Sequence, residues 1–294
     1  MINILYIGDV VGQPGRKALH QKLNHVVDRE KIDFTIVNIE NAAGGFGVTE
    51  AIMEELSELP INAYTSGNHI WDKKDFVENY EHYEHVIRPA NYPQANPGKG
   101  RVIRQTAAGV NVAVVQVMGN VFMPPCDNPF YVVDRELKEI GDAANVIVVD
   151  IHCEATSEKQ AMGRHLDGRV SVVVGTHTHV PTADERILPM GTAFQTDVGM
   201  SGAYDSIIGF RPDEVLYRFP TNTPLNLAVA KRDIRLCGAM VPIASCTGRA
   251  PTTLRSRATL PACSRHLLTR HPSNKNILIC GPYGRCPTPR TTPR

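Results

Sequence analysis

Carboxylates, histidines and side-chain amides recur in this chain where short apolar runs end. Gly8-Asp9 follows Ile2–Ile7, Glu40-Asn41 follows Phe34–Ile39, and Gly67-Asn68-His69 follows Ala63–Thr65. His152 follows Val146–Ile151, and Gly175-Thr176-His177-Thr178-His179 follows Val170–Val174. Taken singly, most of these have a plainer explanation. Asp9 and the Gly-Asn pair suit turns, and one histidine after a strand is often a satisfied buried side chain. The His-x-His pair is more specific, because residues i and i+2 of an extended segment point to one side. Together they supply oxygen and imidazole donors, the set that Mn, Fe, Zn or Ni takes, and a carboxylate can bridge two such ions. Metals about 3.5–4 Å apart clamp the attacking and leaving oxygens of a phosphoryl transfer and make hydroxide available at neutral pH.

The elements that carry these residues follow from the pattern. The runs named above read as buried strands, with a further strand over Val110–Val117. Helices are predicted over Ala18–Val27, Glu50–Leu59, Arg135–Ala143 and near Ser157–His165. Apolar strands that alternate with helices predict an α/β layered fold. In such folds ligands gather outside the carboxyl ends of the strands, so side chains far apart in sequence can converge on one site. Pro/Gly/Asn-rich stretches at 91–100 and 124–129 read as loops. Gly8 to Gly15 mimics a dinucleotide loop, but the spacing is GxxxGxxG and Pro14 interrupts it, so a turn into a helix is the better reading.

Composition sets the boundaries. Of 294 residues 42% are hydrophobic, ordinary for a globular chain, and no run reaches the ~18 apolar residues of a membrane span. The N-terminus has no basic region before its apolar run, which argues against a signal peptide and for the cytoplasm by default. Seven cysteines, with no CxxC, read as free thiols of a reducing compartment. The net charge of +1 is uneven. Residues 246–294 hold nine of the 31 basic residues, four of the Cys and no Asp or Glu. All 30 acidic residues therefore fall in 1–245, and an acidic body disfavours extended nucleic-acid binding. The division expected is a catalytic domain over 1–245 and an atypical basic, Pro/Thr/Arg-rich tail over 246–294. The tail is either a disordered interaction arm or an out-of-frame C-terminus. The second is favoured, since scattered Cys and missing acids are odd for a selected tail. Only Asn276–Cys280 has the apolar character of an edge strand.

The motifs resemble the calcineurin-like metallophosphoesterase superfamily, and more closely its YmdB-type bacterial phosphodiesterase subfamily. The resemblance rests on GDVVG (8–12), NIENAAGGFG (38–47), SGNHIWD (66–72), DIHCEATSEK (150–159), GTHTHVPTAD (175–184) and QTDVGMSGAYDSIIG (195–209), in this order. Beyond Ile243 the sequence stops looking like the family. Position 11 is Val where the superfamily has His, and Glu40 stands where it has a bridging Asp; both are the subfamily's own pattern. The resemblance implies a layered fold of central β-sheets flanked by helices, with the metal site at the carboxyl ends of the strands. It implies Asp9, Asn41 and His179 on one metal, Asn68, His152 and His177 on a second, Glu40 as bridge, and His69 as the general acid for the leaving oxygen. The metals would be iron or manganese, and the substrates phosphodiesters such as 2′,3′-cyclic AMP. Whether the chain forms a homo-oligomer is left open.

Two other classes stand beside a phosphodiesterase. A regulatory protein could keep the metal site only to bind a nucleotide or partner, but it needs no acid at position 69. A nicotinamide-dependent oxidoreductase would rest on the weak glycine loop and leave the histidines unexplained.

Overall fold

The computed structural model describes residues 1–244, residue 248 and the backbone of 255–257. The edge strand expected at Asn276–Cys280 lies outside the described residues. The strands are β1 (Ile2–Ile7), β2 (Asp9–Val10), β3 (Phe34–Asn38), β4 (Ala63–Thr65), β5 (Arg101–Gln105), β6 (Asn111–Met118) and β7 (Val146–His152). They continue as β8 (Val172–Thr176), β9 (Arg186–Ile187), β10 (Ala193–Gln195), β11 (Met200–Ala203), β12 (Ile234–Arg235), β13 (Gly238–Ile243) and β14 (Arg255–Arg257). The helices are α1 (Gly12–Glu30), α2 (Glu50–Ser57), α3 (Lys74–Glu78), α4 (Pro129–Ile140), α5 (Thr156–Leu166) and α6 (Pro212–Thr221).

Two mixed sheets face one another. The first runs β14-β13-β1-β3-β4, with β1, β3 and β4 parallel. The second runs β5-β6-β7-β8-β10-β9, with β6, β7, β8 and β10 parallel. A short third sheet, β12-β11-β2, starts at Asp9 itself.

Side-chain alternation along the strands builds the layers, since successive residues point to opposite faces. Ile2, Ile4 and Tyr6 of β1 meet Val112 and Val114 of β6 and Val146 and Val148 of β7 in a core between the sheets. Leu5 and Ile7 point the other way, into a core with Leu19 and Leu23 of α1 and Ile52 and Leu56 of α2. Ala113, Val115 and Val117 of β6 pack outward against Val132 and Val133 of α4 and Met162 of α5. The order of layers is helix, sheet, sheet, helix.

Two helices begin earlier than the apolar pattern suggests. α1 starts at Gly12 and takes in Pro14, and α4 starts at Pro129 with Asn128 as its side-chain cap. Proline in a first helical turn lacks only an N–H that has no intrahelical partner there. Reading Pro14 as part of a turn and Pro129 as loop placed both starts too late. In the tail, β14 extends the first sheet by antiparallel pairing with β13.

Candidate metal centre

The parallel strands of both sheets deliver their carboxyl ends to one place. β1 leads into Asp9, β3 into Glu40 and Asn41, β4 into Gly67-Asn68-His69, β7 ends at His152, and β8 leads into His177 and His179. A buried polar strut ties the two sheets behind them. The Tyr6 hydroxyl of the first sheet donates to Asp150 Oδ2 of the second at 2.5 Å. Gln116 Nε2 donates to the same oxygen at 2.7 Å and to the Ser66 carbonyl at 2.6 Å. Inter-sheet distance is thereby fixed where the donors meet.

Five of the predicted site residues supply donor atoms that fall into two clusters with a common member. Glu40, His152 and His177 offer ligand atoms within 4.8 Å of one another, and so do Asp9, Glu40 and His179. The amides complete each cluster: Asn68 Oδ1 lies 3.1 Å from His152 Nε2, and Asn41 Oδ1 lies 3.1 Å from His179 Nε2.

Tautomers show what these contacts require. His179 Nδ1 faces the Ile208 carbonyl at 2.9 Å and must donate to it, which leaves Nε2 as a lone pair. The Asn41 amide is oriented by its own donation to the Gly45 carbonyl at 2.9 Å, so Oδ1 is the atom turned to His179. Two acceptors then face each other at hydrogen-bond distance. His152 repeats the arrangement. The Thr176 hydroxyl donates to Asp150 Oδ1 and so accepts from His152 Nδ1 at 2.8 Å, which turns a lone pair on Nε2 toward Asn68. Opposed acceptors are satisfied by a cation between them. Asp9 Oδ1 is buried with no hydrogen-bond partner, a second mark of a place built for positive charge.

Electrostatics agree. Burial, and then the charge of Glu40, push the Asp9 carboxyl well above the ordinary carboxylate range. Burial would also raise Glu40, but the His152 imidazole outweighs it and holds the carboxyl at about 2. Burial would lower His152, yet Glu40 and then Asp9 raise it to about 9. Burial, then the charge of His152, drop His177 to about 3. A proton on His152 and a metal ion compete for one lone pair, so the cluster attracts either. The donor set therefore fits metal ions.

The two histidines of the His-x-His pair do not share one side of an extended segment. Both are left-handed, His177 at φ 94° and His179 at φ 65°, and they turn to different clusters. Such backbone in non-glycine residues is strained and persists only when held. The hold is a buried ion pair that the sequence pattern did not single out: Lys159 of α5 with Asp197 at 2.6 Å. Lys159 Nζ also donates to the Thr176 carbonyl at 2.7 Å, and Asp197 Oδ2 accepts from the Thr178 N–H and hydroxyl. Both residues lie inside motifs of the sequence, but nothing local marks them as partners.

His69 stands at the rim, partly exposed. Its Nδ1 pairs with Asp72 Oδ2 at 2.9 Å, leaving Nε2 for a substrate, and its backbone N–H donates to Glu40 Oε2 at 3.3 Å. With Glu40, His177 and His179 it lines a cleft of about 760 Å³. Close approach explains two glycines. A Cβ at Gly67 would lie 2.1 Å from Glu40 Oε2 and 2.4 Å from His152 Nε2, and Gly45, at φ +99°, lets the loop after Glu40 pass over the Phe210 ring.

Two layered sheets flanked by helices, with metal donors at the carboxyl ends of their strands, define a fold of metallophosphoesterase type. A family model described as YmdB-like protein matches residues 5–255, reaching past Ile243, and the chain belongs to that family. It is 45% identical over 249 residues to the 2′,3′-cyclic-nucleotide 2′-phosphodiesterase of Bacillus subtilis, covering 85% of this chain and 94% of that protein. Among solved structures, a hypothetical protein from Thermus thermophilus superposes with a TM-score of 0.80 at 41% identity, covering 87% of this chain and 99% of the other. A structure described as a novel phosphatase, from Mycoplasma pneumoniae, gives a TM-score of 0.80 at 30% identity, covering 85% and 90%. No helix among the described residues is long and apolar enough to cross a membrane.

Proposed function

We propose that the protein is a dinuclear-metal phosphodiesterase that hydrolyses cyclic nucleotides such as 2′,3′-cyclic AMP. The observation that carries this is the pair of donor clusters sharing Glu40 at one wall of a substrate-sized cleft. The name of the Bacillus relative supports the substrate class. Asp9, Asn41 and His179 would hold one metal, Asn68, His152 and His177 the other, with the Glu40 carboxylate, common to both clusters, shared between them. The family resemblance implies iron or manganese, both among the ions that such mixed oxygen and imidazole donors take. The metals, when bound, would offset the phosphate charge and make a hydroxide nucleophile available at neutral pH.

The chain's own residues do the rest. Ile208 and Thr176 lock the tautomers of His179 and His152 so that Nε2 faces inward. Asp72 fixes the His69 ring with Nε2 free to protonate the departing ester oxygen. A ring held at this place is idle in a pure nucleotide binder, which favours catalysis over a regulatory role.

The test is metal analysis of the purified chain together with hydrolysis of 2′,3′-cyclic AMP and bis-p-nitrophenyl phosphate. Glu40→Gln removes the shared charge and is expected to lose at least one metal and nearly all turnover. Full activity of that variant with two metals retained, or undiminished hydrolysis by the metal-stripped wild type, overturns the proposal.

A further inference from the structure

The cleft has two unlike ends. Donors and His69 line one; the other is apolar and aromatic, with Phe46, Ile208, Phe210 and Phe219. The two ends are continuous, because the His69 ring stands edge-on to Phe46 at 4.9 Å between centroids. Phe46 in turn stacks on the buried Phe210 at 5.6 Å and 27°, which fixes it as a rigid platform. Phe219, in the last turn of α6, is 78% exposed, and Ile208 is 47% exposed. Exposed rings on the wall of a cleft mark a place where something flat and apolar sits. Polar groups stand beside them. Arg218 and Asn222 line the same end, and the Arg218 guanidinium forms no ion pair among the described residues.

A simple dialkyl phosphate would use only the donor end. A nucleobase uses the rest: its π-face stacks on phenyl rings and its edge takes hydrogen bonds from a guanidinium and an amide. We infer that the wall formed by Phe46 and Phe219, with Arg218 and Asn222 beside it, is the seat of the base, so that the substrate is selected as a nucleoside phosphate and not as a phosphodiester alone. This rests on the phosphodiesterase reading for the placement of the phosphate. Phe46 supplies the fixed face and Phe219 the outer one, while the ribose spans toward His69.

The experiment measures binding first, by calorimetric titration of the Mn²⁺-loaded full chain with adenosine 3′-monophosphate and with the base-free methyl riboside 3-phosphate. The nucleotide is expected to bind at least about tenfold more tightly, and Phe219→Ala to remove about tenfold of that preference, the usual worth of a stacked ring. Phe219→Trp should retain it. Leu216→Ala, an exposed position of α6 that does not itself line the cleft, should leave it as in the unaltered protein. Equal affinity for the two ligands, or a preference untouched by both Phe219→Ala and Arg218→Ala, overturns the base seat. Hydrolysis of 2′,3′-cyclic AMP and of the methyl riboside 2,3-cyclic phosphate separates the two readings. Equal kcat/KM for both removes the seat and leaves the phosphodiesterase. Phe219-dependent nucleotide binding with hydrolysis of neither keeps the seat and removes the phosphodiesterase.

Discussion

Gly67→Ala should disable the metal centre through a single methyl group. The added Cβ would stand 2.1 Å from Glu40 Oε2 and 2.4 Å and 2.5 Å from Nε2 and Cε1 of His152, where real Cβ contacts stay beyond 3.0 Å. Relief needs a movement of about 1 Å, and metal–ligand distances tolerate only about ±0.2 Å. Neither neighbour can give way easily. Both are buried, His152 is tied through Nδ1 to Thr176, and the Glu40 N–H donates to Asn38 Oδ1 at 3.0 Å. A misplacement of this size costs about 10²-fold in rate, and the overpacking costs about 1–3 kcal/mol of stability. The assay is metal content after dialysis, kcat with excess Mn²⁺, and thermal unfolding. Gly109→Ala is the control. Its φ of +79° strains any side chain, but its Cβ would meet nothing within 4 Å. It should lose about 1–2 kcal/mol of stability and no metal. Two metals in Gly67→Ala with kcat near that of wild type would refute the steric argument.

Other outcomes follow from the same geometry. His69→Gln should keep its metals and lose about 10²–10⁴-fold in turnover of ribose esters, with a smaller loss for p-nitrophenyl leaving groups; equal losses on both would count against proton donation. Lys159→Met strands the buried Asp197 carboxylate and should cost about 3–5 kcal/mol, with part recovered in the double variant carrying Asp197→Asn, as read by denaturant unfolding. An unchanged midpoint in the single variant would show that the pair does not hold the histidine turn. Asp184 sets an acid limit. Burial would raise its carboxyl, but donation from the Thr196 hydroxyl, the Thr182 hydroxyl and the Thr196 N–H lowers it on balance. A depressed carboxyl stabilises the fold above its unfolded value, about 3.9, and that stabilisation fades as pH falls through the folded value. Asp184→Asn should therefore be less stable than wild type at pH 7, with the gap closing below about pH 4; a gap that widens on acidification would contradict this.

By itself the sequence pointed to the donor side chains that cluster in the structure and to the strand ends on which they are mounted. Asp9, Glu40, Asn41, Asn68, His69, His152, His177 and His179 could be picked out because each follows an apolar run, and strand and helix periods are local properties of the chain. The layered α/β class was legible for the same reason. What only the tertiary structure decided depends on residues that no local pattern joins. The register of one sheet against the other is held by Tyr6 reaching Asp150 across the core, and no periodicity announces a hydrogen bond between positions so far apart. The split of His177 and His179 between two clusters contradicts the extended geometry that their spacing suggests. It arises because Lys159 and Asp197, brought together by packing, bind the Thr176 carbonyl and Thr178 and hold the turn in left-handed backbone. The aromatic end of the cleft likewise joins Phe46 to Phe210, which meet only after the chain has folded. Side-chain type and strand-end position are written locally; which donors cluster together, and what stands opposite them, is set by long-range packing.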